Sequence, residues 1–445
     1  MEHFAVQRII VDTGLGKGVA EYGNMGDISM LQVAIVRLQR LFPTACIEVL
    51  TDSAENLGRY CPGAKPLDNR GRAQWFANGV LLGKYSDIAP NWFVDLLVSF
   101  KRTFRERCPG LFKAFLTRRF KRRNRPEEAE AVAAFIRALG DADLLLICGS
   151  GGFYDGCQAW NLDILDLLEG AIQRGKPVVM LGQGFGPVAD PLVLARARRV
   201  LPLVNFITLR GNRGATALLQ SLGVAEAKVQ TTGDEALELA YESRSDEVGR
   251  GLGINLRFAG SAGTDDADVE KIRPVLHDFV RRHAAPVIPL PIAMQVYDRD
   301  DLAIKRLLMG LDEQSDGGET LDSPLKVLER MRLCRVVVTG AYHAAVFALA
   351  QGIPVVGLAK SAYFSSKFLG LEDQFGEGCQ TILFGEPALP QKLNDAIERA
   401  WQNADKLREP LQATALRQIQ LSRNSYERLK DLAAFPKVAA GHAHI

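Results

Sequence analysis

No pair of cysteines in this chain has the Cys-x-x-Cys spacing, and no charge of one sign dominates. The seven cysteines (Cys46, Cys61, Cys108, Cys148, Cys157, Cys334 and Cys379) are odd in number and widely scattered, which argues against a disulfide framework or a zinc site and fits a reducing compartment. The formal net charge is only +2, so nothing in the overall charge favours nucleic acid. The opening MEHFAVQRIIVDTG has an acid at its second position and no long apolar run. A signal peptide or spanning helix is therefore not expected there, and a cytoplasmic protein is. No sequence repeat of 20 to 50 residues is evident. Only six of 445 residues are histidine, so each histidine matters.

What is present is an alternation of short apolar runs and helical spacing, and its centre is RVVVTGAYHAAVFALAQGIPVVGL, Arg335 to Leu358. Val336 to Val338 predict a strand, Thr339-Gly340 a turn and Ala341 to Gln351 a helix stopped by Gly352 and Pro354, with a second strand from Val355 to Leu358. His343 falls where the strand gives way to the helix, the place where open parallel sheets gather ligands. The plainer alternative is a histidine that caps or packs the helix start, and both stay open.

Earlier in the chain, the strand Arg8 to Val11 is followed by Gly14, Gly16, Gly18, Gly23 and Gly26 and a helix with Asp27 as expected N-cap. Glycines there let backbone amides approach an anion, or simply serve an irregular turn. Strands are expected at Ile47 to Leu50, Leu144 to Ile147, Val178 to Leu181 and Ile207 to Leu209. Gly149-Ser-Gly151-Gly152, Gly182-Gln183-Gly184-Phe-Gly186-Pro187 and Arg210-Gly-Asn-Arg213 are read as turns after the last three. Successive strand ends of this kind indicate one cleft.

Glu242 to Arg250 is charged and polar and reads as a linker. A second series follows, with strands at Leu252 to Asn255 and Val287 to Leu290, a helix from Val269 to Arg282, and Ser323-Pro324 opening another. Asp300 and Asp301 look like a helix start.

Between Trp92 and Arg125 the character changes. Eleven Lys or Arg lie between Lys101 and Arg125 against one acid, Glu106, and Pro109-Gly110 divides the stretch into two amphipathic pieces. A helical hairpin inserted in the first domain is expected. Its basic patch, Arg118, Arg119, Arg122 and Arg123, suits an anionic membrane surface or a phosphorylated, lipid-linked acceptor; a solvated helix face is the plainer account.

The resulting fold class is α/β, with two Rossmann-like doubly wound domains facing a cleft as in GT-B enzymes, followed by C-terminal helices. The domains are 1–245, with a basic insertion near 92–125, and 246–386. Residues 387–445 form terminal helices expected to cross back to the first domain.

At this point a resemblance appears. Gly23-Asn24-Met-Gly26-Asp27, Gly149-Ser-Gly-Gly152, the 182–187 glycine motif, Leu209-Arg210, Thr232-Gly233-Asp234 and the His343 unit with Gly352-Ile-Pro354 follow the order seen in the polysaccharide pyruvyl transferase family. The resemblance implies transfer of a pyruvyl unit from phosphoenolpyruvate to a sugar of a cell-surface polysaccharide or lipid-linked precursor, giving a ketal. His343 matches the family's histidine and is the implied acid or base, while Arg210 is the implied anion contact. The family's Arg-x-His is here Ala341-Tyr342-His343, so Arg257 or Lys360 is expected to supply the missing charge, beside Gly340 and Tyr342. Asn24, Asp27, Gly151, Gly152 and Gln183 are expected to order loops or meet the acceptor.

The donor, phosphoenolpyruvate, is a substrate, and no cofactor or metal is expected. The partners expected are that donor, the glycan acceptor and a peripheral membrane contact, without nucleic acid; homo-oligomer formation is left open. A GT-B glycosyltransferase using a nucleotide sugar, and a catalytically silent family member acting as a binding partner in envelope assembly, are the alternatives.

Overall fold

A computed structural model describes residues 6–13, 22–76, 91–295 and 298–433. Gly14, Gly16 and Gly18 of the first glycine loop lie outside these residues. The first sheet contains β1 (Arg8–Asp12), β2 (Cys46–Thr51), β3 (Lys65–Asp68), β4 (Leu144–Ile147), β5 (Ser150–Phe153), β6 (Val178–Phe185), β7 (Phe206–Leu209) and β8 (Val229–Thr231). Its order is β3-β2-β1-β4-β6-β7-β8, with β5 paired to β6, and all pairs are parallel. The second domain holds β9 (Gly251–Asn255), β10 (Val287–Pro289), a hairpin of β11 (Met294–Gln295) and β12 (Asp298–Arg299), and β13 (Cys334–Thr339), β14 (Val355–Ala359) and β15 (Cys379–Leu383). Its parallel sheet has the order β10-β9-β13-β14-β15.

Strands covered by helices on both faces need apolar residues throughout, and every residue of β4 and β14 is buried. Each sheet reverses its strand order once, between β1 and β4 and between β9 and β13. The carboxyl ends at these two reversals face the same cleft.

The domains share one core. The helix Tyr342–Ala350 is buried at all nine positions, and its Ala345, Phe347 and Leu349 belong to an apolar cluster that also contains Ile28 and Leu31 of helix Met25–Leu41 and Leu237 of helix Ala236–Glu242. From Ala344 to Ala350 the helix is apolar all round and has no face for water, so it is stable only as a wedge between two layers. Backbone bonds stitch the domains as well: Met25 N–H donates to Ile292 O at 2.8 Å and Met294 N–H to Gly23 O at 2.7 Å.

The tail is a single helix, Leu389–Ala433, with Pro410 inside it. Its first half packs Leu393 and Ile397 on the second domain, and its second half packs Ile419 and Tyr426 into the shared core. Among the described residues no helix is long and apolar enough to cross a membrane.

Three local expectations are corrected. Asn24, not Asp27, caps the helix Met25–Leu41, its side chain accepting from the N–H groups of Gly26 (3.0 Å) and Asp27 (3.3 Å). A side-chain oxygen two or three residues ahead of those donors reaches them, which frees Asp27 to point elsewhere. The glycine motifs 149–152 and 182–187 are not simple turns, because β5 and the extended end of β6 pair with each other, Ser150 opposite Gln183 and Phe153 opposite Phe185. Gln183 is wholly buried, and its amide donates to Cys148 O at 2.7 Å and Leu181 O at 2.8 Å. It braces the sheet and does not line the cleft.

The C-terminal helix closes over a buried charge. Tyr426 OH donates to Glu235 at 2.6 Å and Arg37 lies 3.9 Å from the same oxygen, yet the other carboxyl oxygen has no hydrogen-bond partner among the described residues. Burial outweighs Arg37 and Tyr426 and pushes the Glu235 carboxyl up to about 7 from 4.5. Folding therefore takes up a proton between these pH values. Stability is fully present below 4.5, falls as pH rises towards 7 and levels off above, a loss of about 3 kcal/mol. Glu235→Gln should flatten this slope in urea unfolding at about pH 5 and about pH 8; an unchanged slope would show that Glu235 ionises normally.

Candidate functional site

The cleft between the two sets of strand ends has a volume of about 300 Å³ and takes its walls from both domains, including Asn24, Asp27, Gly151 and Gly152 from the first and Arg257, Tyr342, His343 and Lys367 from the second. Arg210 reaches it from the residue after β7. A smaller recess of about 50 Å³ continues behind Arg210 and Lys367 towards Gly184, Arg213 and Gln374.

Arg210 is 3% exposed. Its guanidinium lies 4.4 Å over the Tyr342 ring and donates to Asp234 Oδ2 at 3.4 Å. That carboxylate oxygen is also 3.7 Å from His343 Nε2. Arg210 and His343 thus come from different domains and meet at one carboxylate. Desolvation would raise the Asp234 pKa, but His343, Arg210 and the Ala236 N–H outweigh it and hold the carboxyl below its ordinary range.

Close approach explains the glycines here. A Cβ on Gly151 would sit 2.1 Å from Arg210 Nη2, and one on Gly184 would sit 2.7 Å from Arg210 Nε. A Cβ on Gly26 would stand 1.9 Å from His343 Cγ. These three glycines make room for two side chains, and a bound anion is not needed to account for them.

His343 stands at the start of its helix, 7% exposed, and Nε2 has no hydrogen-bond partner among the described residues. Asp27 lines the cleft nearby. Burial lifts its carboxyl above the ordinary range, against the pull of His343, Arg210, Lys367 and Arg257. A carboxyl shifted upward and an imidazole in the same cleft are two groups suited to proton transfer.

The two cations proposed to replace the missing arginine behave differently. Lys360 pairs with Asp265 at 3.1 Å and Asp268 at 2.8 Å, which ties it to the start of helix Asp266–His283 and away from the cleft. Arg257 does line the cleft, but it is paired with Asp298 and lies 3.5 Å from Asp300. Asp300 does more than start a helix, since Oδ2 accepts from the N–H groups of Ile292 and Ala293 and from Asn255. Gly340 is set back from the cleft, where a Cβ would come within 3.1 Å of Arg257 N.

Sequence reasoning missed Lys367. It sits on helix Ala362–Phe375, with its ammonium 3.9 Å from the Tyr363 ring centroid and 5.5 Å from that of Tyr342. It has no ion pair or hydrogen bond among the described residues. Desolvation, then Arg210 and Arg257, pull its pKa well below the usual value. An amine so placed has its charged form favoured only when an anion enters. The signal was faint, one lysine in an unread helix. Tyr154 and Tyr363, stacked at 3.9 Å, form an aromatic wall beside it. Among the described residues no group of three or more His, Cys, Asp or Glu converges as metal ligands would.

Known proteins bear on this geometry in two ways. A Listeria monocytogenes protein assigned as UDP-N-acetylglucosamine 2-epimerase superposes with TM-score 0.55 at 11% identity, covering 96% of each chain. Anabaena HepE in complex with UDP gives 0.50 at 11% identity, over 96% of this chain and all of that one. S. aureus MnaA with UDP gives 0.50 at 12%, over 92% and 94%. At such identities the likeness concerns the fold, a GT-B arrangement. No curated protein matches in sequence. The polysaccharide pyruvyl transferase profile, in contrast, matches residues 24–361. That span runs from the cap of the first helix past His343, and the chain belongs to the polysaccharide pyruvyl transferase family.

Proposed function

We propose that this transferase moves a pyruvyl group from phosphoenolpyruvate to two hydroxyls of one sugar in a polysaccharide or its lipid-linked precursor. The observation that carries the reading is the convergence of Arg210, Arg257 and the unpaired Lys367 with His343 and Asp27 in one cleft, in a chain of this family. Phosphoenolpyruvate carries a phosphate and a carboxylate on three carbons, and three clustered cations suit it. Lys367 takes the part of the arginine that Ala341 replaces.

In the proposed reaction His343 delivers a proton to the methylene carbon, whose double-bond electrons form the new C–H bond and leave C2 electrophilic. A first sugar hydroxyl attacks C2 and gives its proton to the carboxylate of Asp27, which lines the cleft. The C2–O bond to phosphate then breaks, phosphate keeping the electron pair, and the second hydroxyl attacks C2 to close the ketal, its proton passing to His343, which the first step left neutral. Asp234 positions both His343 and Arg210. The cations neutralise the donor directly, so EDTA should leave turnover unchanged.

The UDP bound by HepE and MnaA defines the competing donor class. Phosphoenolpyruvate should raise the melting temperature, by the equivalent of about 2.7 kcal/mol at a hundredfold excess over its Kd. A shift with UDP- or GDP-sugars and none with phosphoenolpyruvate would turn the assignment to glycosyl transfer.

His343→Ala should lower kcat by about two to four orders of magnitude with donor binding little changed. Arg210→Ala and Lys367→Met should instead weaken donor binding by roughly 10- to 150-fold, as expected for lost charge-assisted contacts. Lys367→Arg should restore most of it. If His343→Ala melts early yet keeps its specific activity, the histidine is a packing residue.

A further inference from the structure

We propose that the helical hairpin of residues 91–122 docks this protein on an anionic lipid bilayer, a role independent of the donor's identity. The segment forms two helices, Asn91–Arg107 and Pro109–Arg122, joined at Cys108. The fold sorts its cations into two sets. Lys101 and Arg105 are 3% and 6% exposed and lie over the rings of Phe112 and Phe76 at 5.9 Å and 4.7 Å, so they belong to the hairpin's packing. Arg107, Arg118, Lys121, Arg122 and Arg123 are exposed, and none has an ion pair among the described residues. Between Lys101 and Arg125 the one acid, Glu106, is 3.8 Å from Arg102.

Beside these cations stand the two most exposed large apolar side chains among the described residues. Phe100 and Leu111 are each 65% exposed and Phe115 is 42%. Leu111, Phe115, Arg118 and Arg122, spaced by four, three and four residues, share one helix face, apolar in its first half and basic in its second. Phe100 joins through a row of rings: Phe100 to Phe104 at 6.4 Å, Phe104 to Phe112 at 5.8 Å, and Phe112 to Phe115 at 6.4 Å.

Exposed rings and a leucine beside unpaired arginines match the two layers of an anionic bilayer surface. The apolar groups enter the acyl boundary while the cations meet the headgroups. A soluble polyanion would use the cations and leave Phe100, Leu111 and Phe115 in water.

The test uses the full chain and sedimentation with vesicles of phosphatidylcholine, with or without phosphatidylglycerol. The protein should sediment with the anionic vesicles at low salt, lose most of that binding at about 1 M salt, and ignore neutral vesicles. Replacing Arg118, Lys121, Arg122 and Arg123 by glutamine should weaken vesicle binding by about tenfold or more. Replacing Phe100, Leu111 and Phe115 by serine should weaken it comparably while leaving retention on a heparin column unchanged, and both variants should melt with the parent. Failure of the parent chain to sediment with anionic vesicles would overturn the proposal. So would undiminished vesicle binding by the serine variant, which would make the hairpin a polyanion site.

Discussion

A single buried carboxylate, that of Asp234, sets the charge arrangement of the cleft. One of its oxygens accepts from Arg210 at 3.4 Å and lies 3.7 Å from His343, so a side chain of the first domain fixes an arginine of its own sheet and a histidine of the other. Taking a carboxylate out of water costs several kcal/mol unless cations and donors surround it. Here they do, and the pair of domains is held where both can reach it. The Tyr342 ring beneath Arg210, and the glycines whose missing side chains admit Arg210 and His343, follow from the same constraint. The all-apolar helix behind His343 keeps the arrangement stiff, because it can be buried only while both domains close on it.

Much of this is legible in the sequence. The apolar runs at 144–147 and 336–338 and the helical spacing of Ile28, Leu31, Ile35 and Leu38 follow from periodicity alone, and the position of His343 follows from topology. The glycine motifs were legible as markers but misleading in purpose. Glycine before a helix suggests an anion-binding loop, whereas Gly26, Gly151 and Gly184 stand where a side chain from elsewhere in the chain needs space, a long-range relation that no local pattern encodes. Lys360 and Lys367 show the same limit. Both follow β14, and only the fold reveals that Asp265 and Asp268 draw the first aside while the second turns among the rings of Tyr342, Tyr363 and Phe364 into the cleft. Asp27 read as a cap because its position fits one, but Asn24 is three residues nearer the start and takes that task.

The basic segment shows how charge counts conceal geometry. Eleven cations in twenty-five residues read as one patch, but Lys101 and Arg105 face inward to aromatic rings, and burial lowers the Lys101 pKa to about 8. The remaining exposed cations share their surface with Phe100, Leu111 and Phe115. An acceptor carried on a lipid would meet an enzyme already at the membrane, so the hairpin and the cleft fit one task while resting on separate observations.

In the proposed reaction this cleft protonates phosphoenolpyruvate at its methylene carbon and ketalises a sugar. The most direct measurement is to run the reaction in D₂O with a glycan acceptor and examine the product methyl group by NMR and mass spectrometry. The expected product is a pyruvate ketal whose methyl carries one deuterium, formed together with one inorganic phosphate and at least about a hundredfold more slowly with His343→Ala. A ketal methyl free of solvent deuterium, or a product extended by a sugar from a nucleotide donor, would contradict it.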